Sequence, residues 1–119
     1  MNVAVIGASH KAHRYSNIAM NRLLSSGHTV YPVHPILTSV LNLDVYHSVS
    51  DLPKPIHTIT MYINASKSAE IADDLLAVGA QRIIFNPGSE NPELMRRFKE
   101  KGVQVIEGCT LVMLSQGQF

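Results

Sequence analysis

Val3-Ala4-Val5-Ile6-Gly7-Ala8-Ser9 is the stretch that decides the fold of this chain. Its apolar run suits a buried parallel strand, and its glycine allows a sharp turn and the close approach of a ligand. A helix after such a loop directs its unpaired N–H groups towards the loop, where they can hold a phosphate. Position 9 is serine and no third glycine follows, which argues against the Gly-x-Gly-x-x-Gly pattern of ordinary dinucleotide enzymes.

Composition predicts one domain over residues 1–119 and excludes several classes of protein. Of the 119 residues 45% are hydrophobic and 16% are charged, which permits a real hydrophobic core. A net charge of +1 and the absence of tryptophan argue against nucleic-acid binding. No apolar stretch approaches the ~20 residues of a membrane span and no signal peptide is evident, so a cytoplasmic protein is expected. The single cysteine, Cys109, excludes an internal disulfide framework.

Apolar runs alternate with helical patterns along the chain. This alternation predicts an α/β fold: a single Rossmann-like three-layer domain with an open, mainly parallel five-stranded sheet and helices on both faces. The predicted strand order is 3-2-1-4-5. A ligand is then expected at the carboxyl ends of the strands, between strands 1 and 3 or strands 2 and 4. The predicted strands are 3–6, 29–33, 58–63, 82–85 and 103–106.

Three helices are predicted between these strands, each with its own start signal. The first has Ser16 as its N-cap, the second follows Ser66, and the third begins at Asn91-Pro92. Residues 36–57 do not hold a full helix. The apolar tail at 111–114 is expected to pack on the sheet or on a second subunit.

The loops after the first two strands are the first candidate ligand sites. Lys11 and Arg14, together with backbone amides, suit a diphosphate, unless they are only solvated loop cations. An NAD site requires an acidic residue after the second strand, where the sequence reads Pro32-Val33-His34-Pro35. Val33 could there pack on a base and His34 could meet a 2′- or 3′-phosphate, or His34 is a surface histidine with no ligand.

The remaining candidates are weaker. Asn64 and Gly88 follow the third and fourth strands and could line the same crevice, or both could belong to simple turns. A metal site is not expected, because His10 and His13 have no cysteine or carboxylate at ligand spacing. No catalytic triad order or nucleophile elbow is evident, and Cys109 is interpreted as a small buried residue rather than a nucleophile.

Several stretches in order along the chain resemble one family, the small free-standing CoA-binding proteins. The domain of this family is similar to the N-terminal domain of the succinyl-CoA synthetase α subunit. The matching stretches are VIGAS (5–9), RYSN (14–17), GHTVYPVHP (27–35), TITMY (58–62), IFNPGSEN (84–91) and CTLVML (109–114). The chain departs from the family pattern at His57, where Asp is usual, at Ala65 in place of Pro, and at Asn42 in place of Gly.

The resemblance implies that CoA lies across the strand ends. It places the diphosphate on the first loop, the adenosine after the second strand, and the rest of the pocket wall after the third and fourth strands. The implied CoA-binding residues are Gly7, Ala8, Ser9, Arg14, Ser16, Asn17, Val33, His34, Pro35, Tyr62, Ile63, Asn64, Pro87 and Gly88. Lys11 joins them as a candidate because of its position in the first loop.

The resemblance also implies a non-catalytic role as a carrier, a sensor or an accessory protein. The synthetase uses a phosphorylated histidine on a second domain and a nucleotide-binding partner subunit, and 119 residues have no room for either. Two alternatives stay open: an NADP- or flavin-dependent oxidoreductase on the same fold, and an interaction module with a vestigial pocket. The expected ligand is CoA or acyl-CoA, and the apolar C-terminal segment is a candidate contact for a second copy or an enzyme partner.

Overall fold

Five strands form a parallel sheet between two helical layers in a computed structural model that describes all 119 residues, so the predicted α/β fold class is confirmed. The strands of this sheet are β1 (Asn2–Ile6), β2 (Thr29–Val33), β5 (Thr58–Met61), β6 (Arg82–Phe85) and β7 (Gln104–Glu107). A separate hairpin consists of β3 (Ser39–Val40) and β4 (Leu43–Asp44). The helices are α1 (Tyr15–Ser25), α2 (Ala65–Glu70), α3 (Ala72–Ala77), α4 (Pro92–Glu100) and α5 (Thr110–Ser115).

The predicted strand order is wrong. The sheet has the order β2-β1-β5-β6-β7, which is 2-1-3-4-5 when its five strands are numbered among themselves. Pro32 in β2 has no N–H for a ladder, which suits an edge strand. All four residues of β5 are buried, so this strand needs a neighbour on each side, and it pairs with β1 and β6. The order therefore reverses between β1 and β5, one of the two positions predicted for the crevice.

The first and third helices start close to their predicted positions. The N-cap of α1 is Arg14 rather than Ser16, which lies inside the helix, and no side chain caps this terminus. The cap of α4 is Asn91 as predicted, because its Oδ1 accepts a hydrogen bond from the N–H of Leu94 at 3.1 Å.

The predicted second helix is in fact two helices. Asn64, rather than Ser66, caps α2, since its Oδ1 accepts from the N–H of Lys67 at 2.9 Å. The chain leaves the helical conformation at Ile71, where φ is −116° and ψ is 18°, and α3 begins at the next residue. Ile71 packs against the core at this break.

Each face of the sheet has its own apolar core. One core contains Ile59, Phe85 and Leu75, and the other contains Val5 and Met20 of α1. These residues are almost completely buried, and burying each large apolar side chain contributes roughly 1.5–3 kcal/mol. None of the five helices has the length and apolar character that a membrane crossing requires.

The C-terminal segment packs on this chain's own sheet. It forms α5, a helix that was not predicted, and both Leu114 and Phe119 lie against the second core. The guanidinium carbon of Arg82 lies 4.4 Å from the centroid of the Phe119 ring. Arg82 also donates from Nε to Thr58 Oγ1 at 3.0 Å, so the tail closes the amino-terminal end of β5 and β6.

A buried polar network joins the centre of the sheet to α5. The Asn86 carboxamide donates to Thr60 Oγ1 at 2.7 Å and to the Met61 carbonyl at 2.9 Å. Its Oδ1 accepts from the N–H of Thr110 at 2.8 Å, and the Thr60 and Thr110 hydroxyls are 2.8 Å apart. Asn86, which directly follows β6, therefore satisfies polar groups on β5 and at the start of α5, where no water can replace it.

We expect Asn86→Ala to lower the free energy of unfolding by about 2–4 kcal/mol, because it leaves a cavity and a buried N–H without a partner. Chemical denaturation measures this change. Gln104→Ala is the matched control, because Gln104 is exposed and its carboxamide makes no hydrogen bond. An equal loss in both variants would contradict the structural role of the network.

Three half-buried histidines resist protonation in the folded chain. Burial is the main cause that lowers the pKa of His28, His34 and His57 below 6.5. The amino terminus and Arg82 add to this effect at His28 and His57. The unfolded chain therefore binds more protons than the folded chain as the pH falls through 6.5.

We expect the unliganded protein to be most stable above this pH and to lose stability on acidification, so that Tm is lower at about pH 5.5 than at about pH 7.5. Calorimetry at several pH values measures the slope. A His28→Gln/His57→Gln variant should show a shallower slope because it removes two of the three groups. An unchanged slope in this variant would assign the acid sensitivity to other residues.

Candidate functional site

A cleft of about 1010 Å³ opens at the carboxyl ends of the strands, on both sides of the point where the strand order reverses. Its wall comes from the loops after β1, β2, β5 and β6, from the first turns of α1 and from α2. The structure brings fourteen of the fifteen predicted site residues to this one cleft: Gly7, Ala8, Ser9, Lys11, Arg14, Ser16, Val33, His34, Pro35, Tyr62, Ile63, Asn64, Pro87 and Gly88.

The remaining predicted residue, Asn17, lies behind the cleft wall. Its side chain is buried, and Nδ2 donates to the carbonyl of Ser9 at 2.8 Å. Asn17 thus holds the loop after β1 against α1. The hydroxyl of Ser9 accepts from the N–H of Lys11 at 3.1 Å, which fixes the loop a second time.

Gly7 occupies a position that no other residue fits. Its φ is +90°, and a Cβ there would lie 2.9 Å from Cγ2 of Ile63 and 3.1 Å from the backbone of Tyr62. The N–H groups of Gly7 and Ala8 both donate to the carbonyl of Val33, at 3.2 and 3.1 Å. These two amides are therefore engaged within the protein and are not free to hold a phosphate.

The backbone amides that come next in the loop are free of internal hydrogen bonds. The N–H groups of Ser9 and His10 make no hydrogen bond within the chain, and neither do those of Tyr15, Ser16 and Asn17 in the first turn of α1. No acidic residue lies in that turn and no side chain caps it. An uncapped helix terminus carries a partial positive charge, so this corner of the cleft is suited to an anion.

Positive side chains outnumber negative ones in the cleft. Lys11, Arg14 and Lys67 are opposed by one carboxylate, Glu70, so the cleft has a net charge of +2 with its histidines neutral. The whole chain has a net charge of only +1. The cleft is therefore a local concentration of positive charge on a nearly neutral protein.

Two histidines and the backbone of Leu37 build the wall beyond β2. Nδ1 of His34 accepts from the N–H groups of Ile36 at 3.0 Å and of Leu37 at 3.1 Å. Nε2 of His47 lies 2.9 Å from the carbonyl of Leu37. Burial, followed by the charges of His10, Lys67 and His47, lowers the pKa of His34.

The path of residues 36–57 explains how His47 reaches the cleft. The hairpin of β3 and β4 turns through Leu41 and Asn42, both with positive φ (53° and 62°). Asparagine tolerates this left-handed conformation better than most residues, so Asn42 suits a position where the family pattern has Gly. Tyr46 then forms a parallel bridge with Val33, which places the following residue beside His34.

The wall after β5 and β6 is largely engaged in internal hydrogen bonds. The amide oxygen of Asn64 caps α2, so only its Nδ2 remains for a ligand. Gly88 has φ +92° and donates to a Glu90 carboxylate oxygen at 2.8 Å, which closes the turn at Pro87. Cys109 does not line the cleft and stands at the start of α5.

The comparison with known proteins agrees with this geometry. Residues 1–115 match a family model described as a CoA binding domain. The chain belongs to this family. This chain is 25% identical over 104 residues to the uncharacterized protein YneT of Bacillus subtilis (strain 168). The match covers 87% of this chain and 77% of YneT.

Solved structures with a similar fold include two that are more than 25% identical in sequence to this chain. An uncharacterized protein of known crystal structure is 36% identical, with a TM-score of 0.94 over 99% of this chain and 97% of its own. The dinucleotide-forming acetyl-coenzyme A synthetase 1 of Ca. Korarchaeum cryptofilum, in complex with phosphate and ADP, is 26% identical with a TM-score of 0.77. That match covers 90% of this chain and 25% of the synthetase. The resemblance to the CoA-binding family is therefore confirmed.

Several residues that line the cleft were not among the predicted site residues. His10 could have been included, because it lies in the loop after β1 that was predicted to bind the ligand. Lys67 follows the Asn64 cap by three residues, so the correct cap would have directed attention to it. No local sequence pattern predicts that His47 and Glu70 line the cleft, because the tertiary path of their segments brings them there.

No group of three histidine, cysteine or acidic side chains comes together in the arrangement that a metal ion requires.

Proposed function

We propose that this protein binds CoA or an acyl-CoA across the strand ends of the cleft and acts without catalysis as a carrier, a sensor or an accessory protein. The observation that carries the proposal is the uncapped start of α1 beside the free amides of Ser9 and His10. These donors face the same cleft as Lys11 and Arg14, in a chain of the CoA-binding domain family. A diphosphate is the ligand group that this combination suits best.

The residues after β2 favour CoA over NAD. An NAD site uses a carboxylate here to accept hydrogen bonds from the ribose hydroxyls, whereas this chain has His34 between Val33 and Pro35. His34, His47 and Lys67 stand together at this end of the cleft. Donors of this kind suit a phosphorylated ribose, and CoA carries a phosphate at the ribose 3′ position.

Three serine hydroxyls of the cleft support a binding role rather than a catalytic one. Ser9 Oγ accepts from the N–H of Lys11, Ser89 Oγ donates to the Asn86 carbonyl at 2.7 Å, and Ser48 Oγ lies 2.8 Å from Ser50 Oγ. These hydroxyls hold local turns, whereas a nucleophilic serine stands beside a general base.

Calorimetric titration with CoA, dephospho-CoA, NADP⁺ and FMN tests the proposal. We expect micromolar binding of CoA and at least about tenfold weaker binding of dephospho-CoA, because the loss of one charged hydrogen-bonded group costs about 1.5–3 kcal/mol. Equal affinity for the two would refute the phosphate contact beyond β2. Binding of NADP⁺ or FMN without binding of CoA would replace the proposal with the oxidoreductase alternative.

We expect Arg14→Gln to weaken CoA binding by about tenfold, and the difference from the wild type to shrink at high salt, because a charged contact to phosphate is screened. Arg22→Gln is the matched control, since Arg22 lies in the last turn of the same helix and does not line the cleft. Titrations at low and high salt measure both variants. A similar loss in both would indicate a general effect of charge rather than a contact at the cleft.

A further inference from the structure

We propose that Arg82 binds a small oxyanion, a carboxylate or a phosphate, at the amino-terminal end of the sheet. Arg82 is the first residue of β6, whereas the cleft opens at the carboxyl ends of the strands. A strand rises about 3.3 Å per residue, so roughly 13 Å of β6 separates this site from the cleft. The proposal therefore does not depend on CoA binding.

Arg82 is a buried cation without a counter-ion. The residue is only 7% exposed, and the three ion pairs of the chain all belong to other arginines. Burial lowers the pKa of Arg82, and no negatively charged neighbour opposes this effect. A buried guanidinium that lacks a carboxylate loses hydration and gains no ion pair in return. An anion bound beside it would supply the missing charge.

The guanidinium has more donors than the chain has acceptors for it. Nε donates to Thr58 Oγ1 at 3.0 Å, and Nη2 lies 3.9 Å from Met1 Sδ, which is a weak acceptor. The other three of its five N–H groups, two on Nη1 and one on Nη2, make no hydrogen bond within the chain. The fork thus retains free hydrogens on neighbouring nitrogens, which is the arrangement that carboxylate and phosphate oxygens accept.

The free end of this fork is open to solvent. The hydroxyl of Tyr62 is the one fully enclosed polar side-chain atom that has no hydrogen-bond partner, so Nη1 of Arg82 is not enclosed. The guanidinium carbon lies 4.4 Å from the centroid of the Phe119 ring, which covers a face of the group. Hydrogen bonds to an anion lie in the plane of the guanidinium, so the ring and a bound anion are compatible.

The ionisable groups around Arg82 are also basic. The Met1 amino group lies 3.2 Å from Nδ1 of His28, and Nδ1 of His57 lies 2.8 Å from the Thr58 hydroxyl that Arg82 contacts. After burial, the largest cause, the charges of Arg82 and the amino terminus lower the pKa of both histidines. No acidic side chain contributes at either ring. The electrostatic field of this cluster therefore favours an anion.

NMR titrations of the unliganded protein with sodium phosphate, sodium acetate and sodium chloride test the proposal. The Nε–H signal of Arg82 reports on this guanidinium alone, even where an anion also enters the cleft. Arg82→Gln removes the charge, and Arg82→Lys retains the charge without the planar fork. Arg96→Gln is the matched control, because it removes an exposed positive charge from α4. The ring signals of His57 follow binding in the variants.

We expect phosphate and acetate to shift the Arg82 signal in a saturable way, with a Kd of about 1–10 mM, and chloride at equal ionic strength to leave it nearly unchanged. Arg82→Gln should weaken binding at least about tenfold, and Arg82→Lys by a smaller factor. Arg96→Gln should bind as the wild type does.

An Arg82 signal that ignores phosphate and acetate, or that responds equally to chloride, would overturn the proposal. So would a signal that changes with protein concentration in the absence of added anion, because the carboxylate of a second copy would then be the ligand. The wild-type titration decides between these outcomes even if Arg82→Gln does not fold. Failure of CoA to bind in the cleft would leave the Arg82 response unchanged.

Discussion

The carbonyl oxygen of Val33 holds the two sides of the cleft in register. It accepts from the N–H groups of both Gly7 and Ala8, so the ladder between β1 and β2 continues one step beyond the strands. The same residue bridges to Tyr46 and precedes His34 in the chain. One backbone position thus orients the loop after β1, the wall after β2 and the segment that contains His47. Because this contact uses the first two amides of the loop, the free donors lie further on, at Ser9 and at the start of α1.

At β5 and β6 the side chain of Asn86 holds the elements together, as the carbonyl of Val33 does at β1 and β2. Asn86 joins β5, β6 and α5 through hydrogen bonds that are all buried. Threonines rather than apolar residues face this region of the sheet, so the layer under α5 is polar and directional. A fully satisfied network of this kind specifies one arrangement of its elements more sharply than apolar packing alone. The turn at Pro87 and Gly88, which forms the cleft wall after β6, comes directly after Asn86 in the chain. The position of this wall therefore depends on Asn86, as the position of the wall after β2 depends on Val33.

Local patterns were enough to predict the strands, the Gly7 turn and the Asn91 cap, because each depends on neighbouring residues. The strand order was not predicted, since it depends on which strands meet in space, although Pro32 did carry a signal for an edge position. The break at Ile71 was hidden inside a continuous apolar pattern, and α5 was hidden in a short apolar tail. The cleft was predicted well where residues follow strands directly. His47 and Lys67 were missed because a hairpin and a displaced helix start bring them there.

Burial makes the unliganded fold sensitive to acid at three histidines. The pKa of His28, His34 and His57 is lowered in the folded chain, so the unfolded chain gains the proton more readily as the pH falls. Of these three, only His34 lines the cleft. Its neutral ring accepts from the N–H groups of Ile36 and Leu37, so the proton that destabilises the fold would also break the turn that shapes the wall beyond β2. A ligand that binds the folded chain stabilises it by RT ln(1 + [L]/Kd), so binding at this wall opposes the same local change.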